Sequence, residues 1–134
     1  MTTYVDTSAL LKRYISEPDS DVADAHLAAD PVLVTSWITV VEARRNLSRL
    51  LTGADLVDGR RRLMDDLDRF AMISVDQAVC QAAAEIADVV GVRSLDSIHL
   101  ACAQRLQLRG LTFLTFDLRQ AQAARSMGFV VTGS

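Results

Sequence analysis

Short apolar runs alternate along the chain with longer segments in which apolar residues recur every three or four positions. The short runs are continuous, which is typical of strands buried on both faces of a parallel sheet. The longer segments have the period of amphipathic helices. The predicted strands are residues 3–5, 32–35, 70–75, 111–116 and 129–132.

Serine, threonine or aspartate stands at the start of each predicted helix, where a side-chain oxygen can accept from a free backbone N–H. The predicted caps are Thr7 or Ser8, Ser20, Ser36, Asp55, Asp76, Ser94 and Asp117. Regular alternation of strand and helix predicts an α/β fold. We expect one domain, residues 1–134, built as a three-layer α/β/α sandwich around a mainly parallel sheet of about five strands.

Composition narrows the class of protein without naming a function. Half of the 134 residues are hydrophobic, which excludes a disordered chain and is enough for one core. No apolar run approaches the ~20 residues of a membrane helix, and no signal peptide is visible, so we expect a cytoplasmic protein. The net charge of −3 does not indicate a nucleic-acid binder. Cys80 and Cys102 lie among aliphatic residues and are predicted to be buried free thiols.

Four acids stand where the predicted fold would bring them together. Asp6 and Asp117 directly follow strands, Glu42 lies in the helix after the second strand, and Asp96 lies in the first turn of its own helix. Ligands bind beyond the carboxyl ends of parallel strands, so the four acids can converge on one edge of the sheet. Clustered carboxylates repel one another, and a divalent cation such as Mg²⁺ or Mn²⁺ removes that cost.

Each acid also has an ordinary explanation. Asp6 and Asp117 can be helix caps, and Asp96 can be a favourable charge near a helix N-terminus. Glu42 can pair with Arg45 or Asn46 along its helix. Their joint placement is more informative than any one of them.

Four segments of the chain resemble the motifs of one family, the PIN-domain ribonucleases, and most closely the VapC toxins of bacterial toxin–antitoxin pairs. The segments are Tyr4–Leu11, Ser36–Glu42, Leu95–Ala101 and Thr115–Asp117, the last followed by Ala121, Ala124 and Gly128. Two departures, Ser97 and Gln120, remove no acid.

The resemblance implies a metal-dependent endoribonuclease that cuts single-stranded or loop regions of tRNA, rRNA or mRNA and so inhibits translation. It implies that Asp6, Glu42, Asp96 and Asp117 are the catalytic residues and surround Mg²⁺ or Mn²⁺. Asp6, Asp96 and Asp117 would coordinate the metal directly or through water, and Glu42 would hold a metal-bound water. It also implies a homodimer, within a larger assembly or alone, neutralised by a VapB-type antitoxin.

Other side chains receive supporting assignments. Ser8 and Thr115 are hydroxyls beside predicted ligands and can hydrogen-bond a carboxylate or its water shell. A basic group on the helix of Glu42 can meet RNA or an acidic antitoxin segment; it comprises Arg44, Arg45 and Arg49. His99 and Trp37 are each predicted to pack in the core, rather than to act at the site or to stack on a base.

Two competing hypotheses remain. One is a catalytically silent PIN-like module that binds RNA or protein, although the four intact acids argue against it. The other is a phosphotransfer domain, which also gathers acids and Mg²⁺ at strand ends. That class needs a lysine beside the phosphate, and Lys12, early in a helix, is the only lysine in the chain.

Overall fold

Five parallel strands form one sheet at the centre of the molecule. The computed structural model describes all 134 residues. The strands are β1 (Thr2–Val5), β2 (Val32–Ser36), β3 (Ala71–Ile73), β4 (Thr112–Leu114) and β5 (Val130–Thr132). They lie in the order β3-β2-β1-β4-β5, and every neighbouring pair is parallel. The first strand is therefore central, and the residue after it stands at the middle of one sheet edge.

The strand register aligns the carboxyl ends of the three central strands. Tyr4 pairs with Val34 of β2 and with Phe113 of β4. Continuing that register by two residues brings Asp6 beside Ser36 on one side and Thr115 on the other. The Asp6 N–H still donates to the Leu114 carbonyl at 2.9 Å, so the backbone keeps sheet pairing up to the acid.

Seven helices cover the two faces of the sheet. They are α1 (Thr7–Leu11), α2 (Ser20–Ala29), α3 (Trp37–Leu50), α4 (Gly53–Leu67), α5 (Gln77–Val90), α6 (Ser94–Arg105) and α7 (Leu118–Ser126). One core cluster joins Tyr4 and Phe113 to α5, α6 and α7; the other joins Val5 and Leu114 to α1–α4. Successive strand residues thus face opposite layers. The predicted three-layer fold is confirmed, with a sheet that is wholly parallel.

Two predictions about burial are wrong. Trp37 is 55% exposed, because the buried positions of α3 are Thr39, Ala43 and Leu47, and Trp37 faces away from them. Cys80 is exposed on α5, whereas Cys102 is buried as predicted. None of the helices combines the length and apolar character that a bilayer span requires.

Candidate active site

Asp6 is held in place by hydroxyl groups and does not cap a helix. Its side chain is nearly inaccessible to solvent, since the residue is only 5% exposed. Oδ2 accepts hydrogen bonds from Ser8 Oγ at 2.8 Å and from Thr115 Oγ1 at 2.7 Å. The side chain makes no cap hydrogen bond to α1, although Asp6 occupies the cap position. The alternative explanation, in which the Asp6 side chain caps a helix, is therefore wrong.

The two hydroxyls tie Asp6 to the chain that follows β4. Ser8 Oγ accepts from the Phe116 N–H at 3.0 Å, and Thr115 Oγ1 accepts from the Asp117 N–H at 3.1 Å. Each hydroxyl group thus accepts a hydrogen bond from a backbone N–H and donates its own proton to the Asp6 carboxylate. The orientation of the Asp6 carboxylate is set by the pairing of β1 with β4.

Glu42 is bound to His99 across the space between α3 and α6. Glu42 Oε1 lies 2.5 Å from His99 Nε2 and accepts from Thr7 Oγ1 at 2.9 Å. The same His99 nitrogen lies 3.6 Å from Asp6 Oδ1, and the other ring nitrogen lies 2.8 Å from Tyr4 Oη. His99 is buried, as predicted for a core residue, but it also joins two of the four acids.

Electrostatics favour an ion pair between Glu42 and His99. Burial would raise the pKa of Glu42, but the hydrogen bonds from His99 and Thr7 outweigh it, so that this pKa is lowered. Burial would likewise lower the pKa of His99, but Glu42 and the charge of Asp6 raise it. Glu42 is therefore ionised, and its side chain does not make the predicted alternative pair with Arg45 or Asn46.

Asp96 and Asp117 share one arginine that sequence reasoning missed. Arg93 Nε lies 3.1 Å from Asp96 Oδ2, and Arg93 Nη2 lies 3.3 Å from Asp117 Oδ2. The other oxygen of Asp117 accepts from the backbone N–H groups of Arg119 and Gln120, so Asp117 is a helix cap as well as a member of this pair. The position of Arg93, three residues before Asp96, was the available signal.

The pKa of Asp96 reflects burial and repulsion among the acids gathered at this edge. Burial raises the pKa of Asp96 and the charges of Asp6 and Asp117 raise it further, although Arg93 acts in the opposite direction. Gln120, which is fully buried on α7, donates to the Asp96 backbone carbonyl at 3.0 Å. That bond fixes the start of α6 against the helix that carries Asp117.

All four predicted acids thus lie at one edge of the sheet, as two pairs around basic groups. Asp6 and Glu42 flank the His99 ring, and Asp96 and Asp117 flank the Arg93 guanidinium. The acids come from four different elements, so that only the folded chain brings them together. Four carboxylates at the carboxyl ends of parallel strands form an acidic centre that suits a hard divalent cation.

Comparison with known proteins decides the family. The profile of the PIN domain family matches residues 3–126. The chain belongs to the PIN-domain family. Ribonuclease VapC46 of Mycobacterium tuberculosis is 34% identical over 128 residues, which cover 96% of this chain and 94% of the relative. The resemblance to VapC proteins that the sequence motifs indicated is confirmed.

Solved structures of toxin–antitoxin proteins share the fold. VapC20 of M. tuberculosis, described as a toxin that cleaves the sarcin–ricin loop, has a TM-score of 0.76 at 18% identity, with 96% of each chain covered. A toxin–antitoxin complex from Klebsiella pneumoniae contains a chain with a TM-score of 0.74 at 20% identity, with 98% of each chain covered. At these identities the likeness concerns the fold alone.

The donor atoms of this PIN domain fit Mg²⁺ or Mn²⁺. Every candidate ligand is a carboxylate oxygen, which these cations prefer. Hydrogen bonds engage Oδ2 of Asp6, Oε1 of Glu42 and Oδ2 of Asp96, so that each of these carboxylates keeps a second oxygen for a metal or its water. No three acid, histidine or cysteine side chains are placed as a ready direct-ligand cluster. His99 contacts Asp6 and Glu42, and Arg93 contacts Asp96 and Asp117.

The three arginines of the α3 group do not face the same way. With about 100° per residue, Arg45 and Arg49 lie on the flank of α3 that carries Glu42, whereas Arg44 is turned about 160° away from that flank. All three are exposed, and Arg49 donates to Asn46 Oδ1 at 3.2 Å. Arg45 and Arg49 therefore share the flank of α3 that carries Glu42, and Arg44 lies on the flank that carries Trp37.

Proposed function

We propose that this PIN domain is a metal-dependent endoribonuclease and the toxin of a VapBC-type toxin–antitoxin pair. The observation that carries the proposal is the convergence of Asp6, Glu42, Asp96 and Asp117 on the central edge of the sheet. The name of the related VapC46, a ribonuclease, supports the reaction class. Because the proposed substrate is RNA, we propose that the protein acts in the cytoplasm.

The four acids would hold the metal and its water. Bound Mg²⁺ or Mn²⁺ supplies a water of lowered pKa and stabilises negative charge on the phosphate. Asp6, Asp96 and Asp117 would bind the cation directly or through water. Glu42, kept ionised by His99, would hold a water through Oε2. Ser8 and Thr115 orient the Asp6 carboxylate and so would support the site through this ligand.

The proposed substrate is single-stranded or loop RNA from tRNA, rRNA or mRNA, whose cutting would inhibit translation. Unpaired nucleotides suit an open edge because their phosphates and bases are both accessible. Arg45 and Arg49 lie on the same flank as Glu42 and would contact the phosphate backbone. Attack by water does not use the 2′-hydroxyl, so preference for RNA must come from binding.

We propose a VapB-type antitoxin and a second copy of this chain as partners. The toxin–antitoxin complex from K. pneumoniae supports the first, since a chain of that complex shares this fold. Large apolar side chains exposed on α3 and α4 also favour a partner surface; they are Trp37, Val41, Val57 and Met64.

The test is cleavage of total RNA by the purified chain with Mg²⁺ or Mn²⁺, then with EDTA. We expect cutting that EDTA stops and that Asp6→Asn abolishes, while Asp88→Asn, an exposed acid on α5, leaves it intact. RNA binding with no cutting in either metal would favour the catalytically silent module instead.

A further inference from the structure

Arg93 holds two active-site acids although most of its side chain is in solvent. It is the residue before α6, and its side chain is 67% exposed. One guanidinium contacts Asp96 at 3.1 Å and Asp117 at 3.3 Å, and so joins the starts of α6 and α7. An exposed ion pair contributes little to stability, so the contact is easily exchanged for another.

Arg93 and a metal ion would compete for one oxygen. Asp117 Oδ1 accepts from two backbone N–H groups, at 2.9 Å from Arg119 and at 3.2 Å from Gln120. The remaining oxygen, Oδ2, is the one that Arg93 contacts. A cation bound directly through Asp117 would use that oxygen, and its charge would repel the guanidinium only 3.3 Å away, which favours release of the Arg93 contact.

We propose that Arg93 is a phosphate-binding residue that rests on Asp96 and Asp117 until a divalent cation displaces it. The inference rests on the proposed nuclease function. The displaced guanidinium stays tethered beside the metal ligands, where a phosphodiester bound to the metal must lie. Guanidinium groups bind phosphate oxygens through two parallel hydrogen bonds, and the released carboxylates no longer neutralise this one. The resting contact offsets one of the two negative charges of Asp96 and Asp117 in the metal-free chain.

The first test is Mn²⁺ binding to chain stripped with EDTA, followed by the electron paramagnetic resonance of free Mn²⁺. We expect Arg93→Gln to bind Mn²⁺ about two- to fivefold more tightly than wild type, because a weak competitor is removed. Arg119→Gln is the matched control: it removes an exposed positive charge beside Asp117 that makes no ion pair. The proposal is overturned if Arg93→Gln binds Mn²⁺ only as tightly as Arg119→Gln does, or more weakly than the wild type does.

The second test is binding of a fluorescent, mixed-sequence single-stranded RNA with Ca²⁺ in place of Mn²⁺, over a range of salt concentrations. A gel confirms that the RNA stays intact. We expect Arg93→Gln to bind about tenfold more weakly, with a slope of log affinity against log salt shallower by about 0.7, the loss of one phosphate contact. A purely structural arginine would not change the slope. A slope equal to that of Arg119→Gln overturns the proposal.

Both readouts are binding measurements, so that failure of the inference is separable from failure of the proposed function. If the wild-type chain cleaves RNA but Arg93→Gln behaves like Arg119→Gln in both tests, only the proposed role of Arg93 is overturned. Expected shifts in Mn²⁺ and RNA binding, in a chain that never cleaves, support the role of Arg93 and contradict the nuclease.

Discussion

Replacing Asp6 is expected to separate stability from activity. In Asp6→Ala, the hydroxyls of Ser8 and Thr115 lose their shared acceptor in a buried place. A buried group left without a partner costs about 1–3 kcal/mol. The two hydroxyls lie 3.2 Å apart and one can donate to the other, so we expect a total loss of about 1–3 kcal/mol in the free energy of unfolding.

Asp6→Asn is the matched variant because it keeps one acceptor oxygen for the two hydroxyls, removes the charge and replaces the other oxygen with an amide NH2 group. We expect its free energy of unfolding to stay within about 1 kcal/mol of wild type. Urea unfolding in EDTA measures both variants. With a slope of about 2 kcal/mol per molar urea, a loss of ~2 kcal/mol moves the midpoint of Asp6→Ala by about 1 M. Both variants should lose cleavage. The reasoning would be refuted if Asp6→Ala had the same free energy of unfolding as the wild type, or lost no more of it than Asp6→Asn does.

Metal adds a second difference between these proteins. Mn²⁺ at a hundred times its dissociation constant should stabilise the wild type by about 2.7 kcal/mol, because it binds the folded chain. Neither variant of Asp6 should gain as much at the same concentration. Equal stabilisation of all three proteins would remove Asp6 from the metal site.

Three further predictions concern the surrounding groups. The raised pKa of His99 gives stability that is present below about pH 6.5 and lost as pH rises through that pKa, and the lowered pKa of Glu42 gives stability lost as pH falls through its own. The loss in unfolding free energy from His99→Gln in EDTA should therefore be largest near pH 5–6.5; a loss that grows toward pH 9 contradicts the ion pair. Thr115→Val should cost about 1 kcal/mol in urea unfolding and lower the cleavage rate more than tenfold, since it frees the central carboxylate. Arg49→Gln should weaken binding of single-stranded RNA more than Arg44→Gln, which faces away; equal losses would dismiss the role of this flank.

The fold was predictable because its signals are local. Continuous apolar runs indicated buried parallel strands, and chain geometry alone places Asp6 directly after β1 and Asp117 three residues after β4. The burial of Trp37 was not predictable from residue type. Which face of α3 turns inward is decided by Thr39, Ala43 and Leu47, and the tryptophan lies opposite them.

The partners of the acids were not predictable, because they depend on elements far apart in the chain. Arg93 and Asp117 are separated by 24 residues, and Glu42 and His99 by 57. Reading along one helix favoured Arg45 or Asn46 for Glu42, since those residues are three and four positions away. Tertiary packing instead supplied a buried histidine, which a local pattern cannot identify.

The chemistry of the cleaved RNA ends tests the central claim most directly. Wild-type chain is incubated with a labelled single-stranded RNA and Mn²⁺, and the new ends are identified. Attack by a metal-bound water predicts products without a 2′,3′-cyclic phosphate, formed with Mn²⁺ and absent in EDTA. Cyclic phosphate ends, or cutting that continues in EDTA, would contradict a metal centre built from Asp6, Glu42, Asp96 and Asp117.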